Sequence, residues 1–157
     1  MRRKMRKMKV LFLCTGNSCR SQMAEGWARH LKGDVIEPYS AGVEPHELDP
    51  RAVQVMAEAG VDISAHRSKH IEEVMDIPFD YVVTVCDDAR EQCPFFPRKV
   101  KMVHIGFADP PRLVEQAKDE QEALNSYRRV RDQIRQFIES LPDALEQRRS
   151  PSHETKT

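Results

Sequence analysis

The sequence predicts an α/β fold, a three-layer α/β/α arrangement around a small four-stranded parallel sheet. Three observations carry the prediction. Short β-rich runs alternate with stretches of helical periodicity, and strands joined through helices run parallel with the helices covering both sheet faces. The apolar run Val10-Leu11-Phe12-Leu13 passes through a Gly- and Asn-containing turn straight into a helix. At 157 residues, the chain fits one such domain with a substantial single core.

Residues 10–14 form the first strand, and Met23, Trp27 and Leu31 then recur at helical spacing. Residues 35–40 are a second strand candidate ending near Gly42. Asp49-Pro50 places an N-cap before a proline at the first helical position, Val53, Met56 and Ala57 line that helix, and Gly60 closes it. Residues 68–74 are expected to form a further short helix. The third strand, residues 81–85, is the most β-rich run of the chain, and residues 102–105 form the fourth. In the last long helix Leu124, Tyr127, Val130, Ile134, Phe137 and Leu141 make one apolar stripe, which Pro142 ends. The resulting organisation is a basic extension over residues 1–8, one domain over 9–146 and a disordered tail over 147–157, where apolar residues run out.

The 25 basic and 25 acidic side chains cancel, so no global field draws the protein to nucleic acid or an anionic membrane, and any anion site is local. The basic start is followed by an apolar run of only about five residues, short of the roughly seven to fifteen of an export signal. A cytoplasmic monomer is expected. In that compartment the four cysteines point to reactive thiols or metal ligation rather than to a disulfide scaffold.

Strand ends in parallel sheets carry ligands just beyond their carboxyl termini. Cys14 and Cys86 both follow strands and are expected near one another. The first lies in CTGNSCRS, residues 14–21, where Cys14 and Arg20 frame a Cys-x5-Arg loop whose backbone N–H groups can converge on an oxyanion at a helix N-terminus. Thr15, Gly16, Asn17, Ser18, Cys19, Arg20 and Ser21 form this cradle. Gly16 allows a positive φ, and the Asn17 side chain can tie the loop together. Arg20 offers a planar fork for two oxygens of the ligand. Beneath the anion Cys14 is expected to be nucleophilic near neutral pH, favoured as thiolate by the helix, by Arg20 and by a hydrogen bond from Ser21. The plain alternative is that the spacing arises by chance and Cys14 is a small apolar core residue. The strand before the loop, the helix after it and the Gly, Asn and Ser within it argue for chemistry. Cys19, in the first helical turn, has packing as its simpler role.

CDDAREQCP, residues 86–94, holds Cys86 and Cys93 without a zinc-type Cys-x-x-Cys spacing. If residues 86–93 are helical, their Cα atoms stand about 10.5 Å apart at helical rise, beyond the ~7 Å reach of a disulfide, so joining them requires that segment to change shape. Asp109, in the loop after the fourth strand, can serve as a general acid, or can be an ordinary Asp-Pro turn.

Taken together these elements resemble the thioredoxin-coupled arsenate reductases, which share the low-molecular-weight tyrosine phosphatase fold. The resemblance runs from about residue 9 to residue 141. It is carried by VLFLCTGNSCRSQMAEGWA (10–28), SAGVEPHELDPRAV (40–53), DISAHRS (62–68), VVTVCDDAREQCP (82–94) and HIGFADPP (104–111). It implies that Cys14 attacks arsenate held by the loop and Arg20, with Asp109 protonating the departing oxygen. Cys86 then attacks Cys14, Cys93 attacks Cys86, and thioredoxin, the external reductant, resets the relay with no tightly bound cofactor. Some members of that family hold potassium with an Asn, a Glu, a Ser and an Asp. Asn17, Glu25 and Ser40 match the first three, while Lys69 replaces the acid, so no potassium is expected here. Two other readings use the same residues: a low-molecular-weight tyrosine phosphatase acting through Cys14, Arg20 and Asp109, and a non-enzymatic oxyanion-binding protein that senses redox state through its cysteines.

Overall fold

The computed structural model describes residues 6–86 and 100–148. Four strands, β1 (Met8–Cys14), β2 (Ile36–Gly42), β3 (Tyr81–Thr84) and β4 (Lys101–His104), form an all-parallel sheet in the order β2-β1-β3-β4. The helices are α1 (Arg20–Lys32), α2 (Pro50–Glu58), α3 (Pro110–Val114), α4 (Glu120–Glu139) and α5 (Asp143–Arg148), with a 3₁₀ turn at Ile71–Val74. The predicted class and strand number are those observed.

The central strand β1 is buried on both faces from Val10 to Cys14, which is why its sequence lacks the alternation of a half-exposed strand. On one face α1 packs against β1, β2 and α4. Trp27 of α1 is buried there and its indole N–H donates to the Arg131 carbonyl of α4 at 3.2 Å. The α4 stripe anticipated from its periodicity is buried at Leu124, Tyr127, Val130, Ile134 and Phe137. Because Ser40 bonds to Glu25 of α1, its neighbour Tyr39 points to the opposite face, where it meets Phe79 edge-on with centroids 5.3 Å apart.

Several boundaries differ from the sequence expectation. The second strand starts at Ile36 and runs to Gly42. The helix expected over residues 68–74 is only the 3₁₀ turn from Ile71. Ser68 and Lys69 instead give their hydroxyl and backbone N–H to Asn17, and the Lys69 carbonyl accepts the Gly42 N–H of β2 rather than a helical partner. Asp109-Pro110 opens the short α3 rather than a plain turn, with proline at its first position. Buried Ala144 and Leu145 anchor α5, which reaches Arg148, beyond the expected start of the tail. The end of α2 is as expected: Gly60 takes φ +89° just past its last residues, a conformation that an L side chain resists.

Parallel pairing brings the strand ends together. Cys14 stands opposite Gly42, Leu13 opposite Thr84, and Thr84 opposite His104. The loops carrying Cys14, Cys86 and Asp109 therefore leave one edge of the sheet side by side.

Candidate active site

At that edge an open cavity of about 570 Å³ is lined by Cys14, Arg20, Cys86 and Asp109, with His46 and Arg112 at its wall. The structure thus unites four of the five residues expected to act. The fifth, Cys93, lies outside the described residues, as do the expectations about segment 87–93.

The loop is held from within. Asn17 takes φ 49°, the left-handed conformation that its short polar side chain tolerates. Its backbone N–H donates to the Cys14 sulfur at 3.2 Å, and its side-chain amide donates to Ser21 Oγ at 2.8 Å. Ser21 Oγ lies 2.8 Å from Cys14 Sγ. Gly16 does not need the positive φ expected of it. Its reason is space, since a Cβ there would lie 2.7 Å from His46 Cδ2. The amides of Gly16, Ser18 and Cys19 are not spent on acceptors among the described residues. Ser18 and Cys19 line the cavity, leaving their N–H groups available to an oxyanion at the start of α1. The Ser18 carbonyl is tied back by the Asp49 N–H at 2.9 Å.

Thr15 behaves differently from its neighbours. Its N–H donates to Cys86 Sγ at 3.2 Å, and its hydroxyl lies 3.3 Å from the same sulfur. The loop residue next to Cys14 therefore holds the second thiol, and this amide is engaged with sulfur rather than free for an anion.

Arg20 donates through Nη1 to the Phe107 carbonyl at 2.9 Å and places Nη2 3.5 Å from Asp109 Oδ1. These contacts join the anion loop to the loop after β4 and hold the guanidinium at the cavity wall beside the candidate acid. The expectation of an activated Cys14 needs correction. Burial pushes the Cys14 thiol above its ordinary value, the Ser21 hydrogen bonds and Arg20 oppose this without overcoming it, and the guanidinium is turned toward Phe107 and Asp109. Cys19 is buried at the N-cap of α1 and its thiol is pushed well up, by burial first and then by the Asp49 carboxylate.

The residues matching a potassium site do not fit a bound cation. Lys69 Nζ donates to the Ser40 carbonyl at 3.0 Å. Glu25 receives Ser40 Oγ on one oxygen at 2.5 Å and Arg29 on the other at 2.8 Å. Asn17 Oδ1 accepts the Lys69 N–H at 2.9 Å. An ammonium thus stands among the would-be ligands. Burial pulls Lys69 below its ordinary value, against the attraction of Glu25.

Sequence reasoning did not single out His46, Arg112, Gln22 or His66. The first two line the cavity, and the other two stand behind the loop. Only the tight packing of Gly16 against His46 offered a signal, and it becomes visible once the two loops are folded together.

The chain matches the family described as low molecular weight phosphotyrosine protein phosphatase over residues 9–150. It belongs to that family. Within it, the chain is 50% identical to an arsenate reductase of Bacillus subtilis over 125 residues, 80% of this chain and 88% of that protein. Among solved structures, an arsenate reductase in the phosphate binding state superposes with a TM-score of 0.68 at 31% identity, covering 88% of this chain and 98% of that one. A thioredoxin-dependent arsenate reductase of Corynebacterium glutamicum gives a TM-score of 0.61 at 28% identity, over 89% of this chain and 62% of that one.

Proposed function

We propose that this member of the family reduces arsenate to arsenite through a relay of thiols reset by thioredoxin. The observation that carries the reading is Cys86: its sulfur rests on Thr15, the residue after Cys14. Hydrolysis of a phosphate ester has no use for a second thiol there, whereas reduction of arsenate requires two. The arsenate reductases among its relatives support the same choice.

In this mechanism arsenate enters the loop, held by its free amides and Arg20. Burial raises the Cys14 thiol above its ordinary value, and as the sulfur attacks, its proton passes to an arsenate oxygen. A sulfur–arsenic bond forms, and Asp109 protonates the departing oxygen, which leaves as water. Cys86 then attacks Cys14 Sγ, its thiol proton passing to the Asp109 carboxylate left by the first step. The electron pair of the sulfur–arsenic bond moves to arsenic, which falls from As(V) to As(III) and leaves as arsenite, while the two thiols become a disulfide. Cys93 attacks Cys86 and frees Cys14, and a thioredoxin dithiol reduces the Cys86–Cys93 bond. The overall change is arsenate plus two thiols to arsenite, water and a disulfide. Such a relay belongs in the reducing cytoplasm and needs no resident cofactor or second subunit.

The test is arsenite formation with thioredoxin, thioredoxin reductase and NADPH, compared with dithiothreitol alone. The reading predicts sustained turnover with the protein reductant. A phosphatase is the second reading, because Cys14, Arg20 and Asp109 are also the set that ester hydrolysis uses. It is favoured if p-nitrophenyl phosphate hydrolysis survives both Cys86→Ser and Cys93→Ser while arsenate is not turned over.

A further inference from the structure

The cavity is larger than the anion its loop can hold. At about 570 Å³ it has the size that organic ligands fill, whereas arsenate is one tetrahedron of four oxygens. The loop amides and Arg20 serve that tetrahedron beside the buried Cys14. Farther out, the walls carry the exposed side chains of His46 and Arg112. Elsewhere Arg51, Arg67, Arg128, Arg131 and Arg135 are each committed to a carboxylate, and Arg20 is committed to Phe107 and Asp109. The Arg112 guanidinium has no such partner among the described residues. Asp109 is the one carboxylate among the described residues lining the cavity, and it stands 3.5 Å from Arg20 instead. His46 is fixed at the wall, its backbone N–H donating to the Gly16 carbonyl at 2.8 Å and its ring packed against Gly16. Its ring nitrogens, too, bond to none of the described residues.

We propose that Arg112 and His46 form a second anion subsite at the outer wall of this cavity. The site then takes compact ligands with a tetrahedral oxyanion at one end and a second anionic group, phosphate or carboxylate, at the other. The oxyanion seats in the loop beside Cys14. The planar Arg112 fork, permanently charged, takes two oxygens of the second group, and His46 donates a ring N–H from the facing loop. The chain as a whole carries no net charge, so the preference comes from these local groups. Without arsenic such a ligand cannot accept electrons from the thiols, and it competes with arsenate rather than being reduced.

The inference rests on the loop being an oxyanion site and not on arsenate reduction, so its test involves no turnover. Calorimetric titration compares phosphate with methylenediphosphonate and phosphonoacetate, whose second groups are a phosphonate and a carboxylate, at equal ionic strength. At least one of these probes should bind about tenfold more tightly than phosphate, and which one does so identifies the second group. Arg112→Gln should weaken that probe about ten- to a hundredfold, the worth of a hydrogen bond to a charged group, while phosphate stays within about twofold. Arg129→Gln removes the same charge from an exposed position of α4 outside the cavity lining, and should change neither affinity. Equal weakening of probe and phosphate in Arg112→Gln, or equal weakening of the probe in both variants, would mark a general field and overturn the subsite. So would a wild type that prefers neither probe to phosphate, or unchanged probe affinity in Arg112→Gln. Phosphate and probe behaving as expected without any arsenite formation would refute the reductase reading and leave the subsite standing.

Discussion

Gly42→Ala should damage the anion loop out of proportion to the size of a methyl group. Gly42 ends β2 opposite Cys14, and a Cβ there would lie 2.7 Å from the Thr15 carbonyl oxygen, 2.9 Å from the Asn17 nitrogen and 3.0 Å from Asn17 Cβ. Ordinary contact begins at 3.4 Å, so the closest approach is about 0.7 Å short. Two of the three obstructing atoms are backbone, with no rotamer to escape into. The Asn17 N–H donates to Cys14 Sγ and the Thr15 carbonyl accepts the Glu44 N–H at 2.8 Å, so relief means moving the loop off the sulfur. Overpacking of this kind costs about 1–3 kcal/mol of stability, while a displacement approaching 1 Å at reacting groups can cost on the order of 10²-fold in rate. The expected result is a loss of roughly ten- to a hundredfold in arsenate turnover, with stability lowered by only about 1–3 kcal/mol. Urea unfolding gives the stability, and calorimetric titration with phosphate checks that oxyanion affinity falls too. Gly106→Ala is the control, because its Cβ would stand 3.6 Å from its nearest neighbour, His104 Nε2. Wild-type turnover and phosphate affinity in Gly42→Ala would refute the claim that this packing sets the loop.

Arg20→Lys should lower arsenate turnover by about ten- to a hundredfold, since a point charge cannot bridge Phe107 and the ligand as a fork does; steady-state kinetics check it. Cys93→Ser should allow one turnover and trap a Cys14–Cys86 disulfide, whereas Cys86→Ser should release no arsenite and form neither bond. Peptide mapping after a single exposure to arsenate separates these outcomes, and Cys14–Cys19 as the main wild-type disulfide would overturn the relay. Lys69→Asp should create a potassium-dependent rise in melting temperature, absent with a control salt at equal ionic strength and absent from the unmodified protein, where Lys69 occupies the site. The buried thiols Cys14 and Cys19 both titrate above their ordinary value. The folded state therefore holds these protons more tightly than the unfolded chain, whose thiols titrate near about 8.5. Their contribution to stability is complete below that pH and is lost as pH rises through the folded values. Denaturation between about pH 8 and 10 should show this decline, and Cys19→Ala should flatten it.

The parts of the fold readable from sequence were those set by local pattern. The α4 stripe from Leu124 to Phe137, the apolar run of β1 from Val10 to Leu13 and the Asp49-Pro50 start of α2 each follow from periodicity or capping. The site was readable where chain neighbours build it, as in the loop from Cys14 to Ser21. Its reach to Cys86 and Asp109 followed from a rule of parallel sheets, that strand ends lie together. The ionisation of Cys14 is not legible because the sequence displays the helix N-terminus and Arg20 but not which way Arg20 turns.

Residues 66–70 show why the remainder could not be read locally. Their sequence suits a helix start, yet Gly42 bridges to His70 beside β2, and the Gly42 N–H is bonded to the Lys69 carbonyl at 2.9 Å. This pairing carries the segment past the back of the anion loop. There Ser68 and Lys69 bind Asn17, Lys69 also reaches the Ser40 carbonyl, and His66 meets Gln22. The competing demand is that of Asn17. Held in a left-handed conformation with its carbonyl and side chain buried, it needs partners for three polar groups, and the loop itself supplies too few. A segment about fifty residues away in sequence supplies the rest through Ser68 and Lys69. The same segment places a lysine ammonium where a cation would otherwise be held, so the stiffness of the anion loop in this chain is built from its own side chains.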